Sequence, residues 1–182
     1  MTLTDKARDL AKSLHAGHTR RSGASFFNAH LDPVARKVAS RGGSDLAVAS
    51  AYLHDAPEDI GEYTRNDIAD LSPEILIVVD QLTEVGNTWQ ERKDSYLAKV
   101  AGMYYAALLI SLCDKIVTGY DFINEWSDGN FGKRPDETLW FYDELTQRYQ
   151  ARAHELEAQQ ILLPSFEELS GVLAQMKALR HA

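Results

Sequence analysis

One cysteine, Cys113, in 182 residues leaves no partner for an internal disulfide, which fits a reducing compartment. No apolar run approaches the length needed to cross a bilayer. The longest, Tyr104 to Cys113, is about half of it and reads as a buried helix. A basic-then-apolar leader is missing from the first residues, so no secretion signal and a cytoplasmic location are expected. Positive charge is scarce: 19 Lys and Arg against 27 Asp and Glu give a net charge of −8. That balance argues against a non-specific nucleic-acid or anionic-membrane binder, which needs a positive field. It does not exclude a small anionic ligand, since a metal ion and a few local arginines gather phosphates on an acidic protein. Strand-type alternation, internal repeats and low-complexity segments are also missing.

What remains is ordinary globular composition, 45% hydrophobic and 25% charged, in a length suited to one domain over residues 1–182. Helical periodicity runs nearly throughout, so the fold class is all-α, a compact single-domain helical bundle. Leu3, Ala7, Leu10 and Leu14 form a first stripe behind Thr4 as cap. Gly17 to Ala24 reads as a loop. A second helix spans about Phe26 to Ser40, with Pro33 complicating its start, and a third runs from Ser44 to about Ala56, where Pro57 stops it. Ser72-Pro73-Glu74 and the capping box Thr88-x-x-Glu91 open two more. A buried helix from about Tyr104 to Trp126 follows, then a loop, Ser127 to Pro135. Beyond it lie a long amphipathic helix through Leu139, Tyr142, Leu145, Tyr149 and Leu156 and a last one opened by Pro164 and Ser165-x-x-Glu168.

Chemistry concentrates in Ala51-Tyr52-Leu53-His54-Asp55-Ala56-Pro57-Glu58-Asp59. His54 offers an imidazole nitrogen and Asp55 a hard oxygen, a pair able to hold a divalent cation. Glu58 and Asp59 follow about one helical turn later and can face the same ion or its water. Alone, such a pair is more often a polar helix end. Two distant residues shift the balance. Asp114 shares a face with Met103, Ala107, Ile110 and Val117, where an unpartnered carboxylate would cost on the order of several kcal/mol. Lys115, its neighbour, projects from a different face and is a poor partner. His30 raises the same question on the second helix. Two imidazoles and two carboxylates, His30, His54, Asp55 and Asp114, form a coherent metal shell.

The order H…HD…D resembles the HD metal-dependent phosphohydrolase superfamily. Within it, His15-Ala-Gly-His18-Thr-Arg20-Arg21-Ser22-Gly23 is similar to the H-x-G-Q-x-R-K-S-G segment of RelA/SpoT-type alarmone hydrolase domains. Phe26-x-x-x-His30-x-x-x-Val34-Ala35 follows at the expected distance. His54-Asp55-Ala-Pro-Glu58-Asp59 matches H-D-x-x-E-D, and Leu109-Ile-Ser-Leu-Cys-Asp114-Lys115 resembles L-I-K-L-A-D-R/K. The likeness covers about residues 5–125, with a weaker echo in Glu137, Thr138 and Tyr142.

The resemblance implies an HD-domain fold and a stand-alone small hydrolase that removes the 3′-diphosphate from (p)ppGpp-like nucleotides. It further implies Mn²⁺ on His30, His54, Asp55 and Asp114, and Glu58 and Asp59 as the catalytic pair that orients water. The donor set itself suits Mn, Fe or Zn. The expected partner is a purine nucleotide with 3′- and 5′-phosphates, held by Arg20 and Arg21, with Ser22, Lys115, Thr118 and Tyr142 as weaker candidates. His15 and His18 are expected in helix-end or loop roles, and His154 and His181 on the surface. Three positions depart from the family pattern: Thr118 for Asn, Arg21 for Lys and His18 for Gln. The first two touch base recognition, so adenine alarmones of the (p)ppApp type compete with guanine ones. Alternative readings are a broader HD nucleotidase or phosphodiesterase, and an inactive alarmone-binding module, which would usually have lost the Glu-Asp pair.

Overall fold

The structure, a computed structural model, describes residues 1–20, 23–159 and 166–181. Among them there is no strand, only an isolated antiparallel bridge between Thr19 and Ser25. The all-α expectation therefore holds.

Helix α1, Leu3–Leu14, is capped two residues earlier than expected. Thr2 and Asp5 form the capping box, and Thr4 lies inside the helix. The Thr4 hydroxyl instead donates to the Asp45 carboxylate, tying α1 to the start of α3. The loop after α1 leads into a five-residue π-helical turn, Phe27–Leu31, which runs directly into α2, Asp32–Ser40. In that turn the Asp32 amide donates to the Phe27 carbonyl, five residues back. Pro33 explains the widening: it has no amide hydrogen, and its ring would press on the carbonyl of Ala29 in a regular helix. His30 sits in this turn, so the site begins where helix geometry changes.

Helix α3, Asp45–Leu53, is capped by Ser44, whose oxygen accepts from the Ala47 amide at 3.2 Å. It ends at Leu53, three residues before the expected stop, because Pro57 crowds the carbonyl four residues behind it. His54 and Asp55 thus lie at a corner, followed by the single turn α4, Ala56–Asp59. Two helices cross behind them: α5, Thr64–Leu71, which the periodicity did not reveal, and α6, Pro73–Leu82, with its expected Ser72 cap. α7, Trp89–Lys99, carries the Thr88/Glu91 box as read from sequence.

Helix α8, Tyr105–Ser127, is the spine. Leu108, Leu109, Ile110, Leu112 and Ile116 are buried on several sides of it. It packs against α2, α3 and α6, and also against α10, Glu167–Arg180, while α9, Pro135–Ala158, closes the bundle beside α10 and α7. Pro164 and Ser165, expected to open the last helix, lie outside the described residues. No helix among the described residues is long and apolar enough to cross a membrane.

Candidate metal centre

Three elements deliver one cluster. The wide turn presents His30, the corner after α3 presents His54 and Asp55, and the middle of α8 presents Asp114. His30 Nε2 lies 3.0 Å from Asp55 Oδ2 and 3.4 Å from Asp114 Oδ1. His54 Nε2 lies 3.2 Å from Asp55 Oδ1 and 3.9 Å from Asp114 Oδ1. Both imidazoles and Asp114 are buried, and Asp55 is partly so.

His54 Nδ1 sits 2.8 Å from the Ala51 carbonyl, which can only accept, so the ring donates there. That fixes the tautomer with a lone pair on Nε2, the arrangement of a metal-ligating imidazole held by its other nitrogen. Nε2 is buried and has no hydrogen-bond partner. Facing it are carboxylates, which also offer lone pairs, so the neutral ring needs a cation between. Bonds of about 2.1 Å at right angles around one ion separate ligand atoms by about 3.0 Å, close to the shorter gaps here. The donor set and its spacing fit a divalent transition ion.

Electrostatics agree. Burial pulls the His54 imidazole down, but Asp55 and then Asp114 outweigh it and raise it to about 9. Burial would raise both carboxyls. Instead His54 and His30 hold Asp55 down at about 2, while Lys115 and both imidazoles hold Asp114 well below the usual carboxylate range. A positive charge is what the cluster demands, and a divalent ion bound here would take the place of the proton that His54 otherwise keeps.

Lys115 corrects the sequence expectation. Although adjacent in sequence, its long side chain folds back so that Nζ lies 2.6 Å from Asp114 Oδ2. Backbone faces diverge at neighbouring positions, but four methylenes bring the ammonium round. Thr118, one turn on, donates from Oγ1 to Asp114 Oδ1 at 3.2 Å. Asp114 is thereby held on both oxygens. Lys115 also lies over the Tyr96 ring, 5.1 Å from its centre. Tyr142 is buried core and donates its hydroxyl to the Lys115 carbonyl at 2.9 Å. Lys115, Thr118 and Tyr142 together line a cavity of about 130 Å³, with Trp89, Phe122 and Phe141.

Glu58 and Asp59 lie at the open side. The Glu84 amide donates to Glu58 Oε1 at 2.7 Å and pins that carboxyl. Burial raises Glu58 against this bond, Asp55 adds to the rise, and the result is about 7. Burial and Asp55 raise Asp59 to about 6. Both side chains still meet solvent, which tempers the shifts without changing their direction.

Arg20 reaches α8 and pairs with Asp121 at 2.8 Å. Arg21 and Ser22, expected to touch substrate, lie outside the described residues. His154 and His181 are exposed, as expected. His15 and His18 occupy the helix end and loop but, unforeseen in sequence, converge on Asp59. Their only sequence signal was the His at the position where the family motif has Gln.

Neither a protein-family model nor a curated protein matches the chain by sequence. Among solved structures it is similar to a metazoan ortholog of SpoT, described as hydrolysing ppGpp and playing a role in starvation responses. The TM-score is 0.76 and the identity 18%, over 96% of each chain. At that identity the likeness is one of fold: this chain shares the all-helical fold of that SpoT ortholog.

Proposed function

We propose that the chain is a metal-dependent phosphohydrolase that removes the 3′-diphosphate from (p)ppGpp- or (p)ppApp-type nucleotides. The observation that carries it is the convergence of His30, His54, Asp55 and Asp114, drawn from three elements, beside a carboxylate pair. The fold shared with a ppGpp-hydrolysing protein supports the same reading.

When bound, a divalent cation, with Mn²⁺ preferred, supplies Lewis-acid polarisation and acidifies water. The chain supplies the rest. Glu58, held by the Glu84 amide, keeps a second oxygen with which to accept a proton, and its raised pKa places that exchange near neutrality. Asp59 stands beside it to orient water. Lys115, locked to Asp114, fixes a ligand and adds positive charge toward the cavity. Phosphoryl transfer needs positioning and charge neutralisation rather than a nucleophilic side chain. Cys113 suits no covalent role, since burial pushes its thiol up to about 12.

The cavity walled by Trp89, Phe122, Phe141 and Tyr142 suits a purine ring. Thr118 spends its hydroxyl hydrogen on Asp114 and offers no amide with which to read guanine. We infer that base selection is relaxed and that guanine and adenine alarmones are both accepted.

The test is turnover of ppGpp and ppApp side by side with Mn²⁺ supplied. Release of pyrophosphate and the 5′-nucleotide from both is expected. Preference for plain nucleotides lacking a 3′-diphosphate would move the assignment to a broader nucleotidase. Tight binding without product would make the chain a sensor.

A further inference from the structure

The proposed reaction leaves two imidazoles of the loop region unused. His15, at the end of α1, is 2% exposed, and His18 is half-buried three residues on. Their Nδ1 atoms face each other at 3.2 Å. Two ring nitrogens that close need one hydrogen, or one cation, between them. Asp59 comes to the same place: one ligand-capable atom from each of His15, His18 and Asp59 lies within 4.8 Å of the others. The other nitrogen of the buried His15 ring, Nε2, has no hydrogen-bond partner, so no second hydrogen bond fixes which nitrogen carries the ring hydrogen.

The geometry points to a second divalent-cation site formed by His15, His18 and Asp59. Two metal–nitrogen bonds of about 2.0–2.1 Å at a tetrahedral angle span about 3.3 Å, which matches the gap between the imidazoles. Two nitrogens and one carboxylate favour Zn²⁺, Mn²⁺, Fe²⁺ or Co²⁺ over Mg²⁺ and Ca²⁺. The site adjoins the first one. Phe26 stacks on His18 with ring centres 4.6 Å apart and lies 5.1 Å from His30. Asp55 of the first cluster acts electrostatically on both His15 and Asp59. On the reaction proposed above, a second cation here would add positive charge beside the first site, where a diphosphate carries its negative charge, and Asp59 would act through it.

Metal stoichiometry tests the site without recourse to turnover. Chelator-stripped protein is loaded separately with Zn²⁺ and Mn²⁺, desalted, and its metal content measured by mass spectrometry, with far-UV circular dichroism as a folding control. Two equivalents are expected in the native chain, and one in each of His18→Gln, Asp59→Asn and His54→Ala. In His18→Gln/His54→Ala none should remain. A native chain holding a single equivalent that His54→Ala removes would overturn the second site and leave the proposed hydrolysis standing. Two equivalents retained by both His18→Gln and Asp59→Asn would overturn it as well, by placing the extra ion elsewhere. Two equivalents in a chain that releases no pyrophosphate would keep the site and remove the reaction.

Discussion

Glu58 is a carboxyl whose proton belongs to the folded chain more than to the unfolded one. As a base it must be ionised, so kcat/KM is expected to fall as pH drops through about 7, and Glu58→Gln should abolish that acid limb. Its stability effect has the opposite sense. Any stability from the tighter proton is full below the ordinary carboxyl range and is lost as pH climbs through about 7. Glu58→Gln, which keeps an acceptor for the Glu84 amide, is therefore expected to raise Tm at pH 8 but not at pH 4. Asp59→Ala should lower kcat by about 10²–10⁴-fold while the ion on His30, His54, Asp55 and Asp114 is retained, read by turnover and metal content together. At this scale the convergence of His30, His54, Asp55 and Asp114 was legible, because buried His and Asp in an ordered pattern carry a chemical demand. The Lys115 bond to Asp114 was not, since adjacency describes where two Cα–Cβ bonds point and says little about a flexible four-carbon chain.

Among elements, the π turn and α8 make the firmest expectations. Pro33→Ala restores an amide hydrogen for the Ala29 carbonyl, allowing the wide turn to close into regular helix and His30 to swing from its partners. Metal affinity should fall with helix content unchanged, as measured by calorimetry and circular dichroism. Gly119, in the middle of α8, has no room for a methyl: a Cβ there would meet Val172 Cγ1 of α10. Gly119→Ala gains helix propensity of about 1 kcal/mol yet should lose a net 1–2 kcal/mol, roughly, to overpacking. Adding Val172→Ala should recover part of the loss in denaturant unfolding. The caps at Ser44, Ser72 and Thr88 were legible because their hydroxyls answer orphan amides locally. α5 was not: of its eight residues only Thr64 and Ile68 are buried, too few to print a period. Pro57 marked a break correctly, but its steric effect acts backwards along the chain and ended α3 at Leu53.

For the whole molecule, a cation on the proposed ligands His30, His54, Asp55 and Asp114 would join the turn before α2, the corner after α3 and the centre of α8. An ion that binds only the folded chain stabilises it by about 2.7 kcal/mol at a hundredfold excess over Kd. Chelator should therefore lower Tm and Mn²⁺ restore it in a concentration-dependent way, measured by scanning calorimetry; no shift would mean the cluster holds no ion. The bundle was legible as a class because apolar residues recur at helical spacing almost everywhere. Which helices touch was not, since long-range contacts such as α8 on α10 leave no local mark. One such contact governs how a ligand would be received. Arg20 is already committed to Asp121, so any anion that recruits it must evict a resident rival. Affinity is then a difference between two attachments, and each binding event sets a carboxylate on the central helix adrift at the moment the guanidinium changes allegiance.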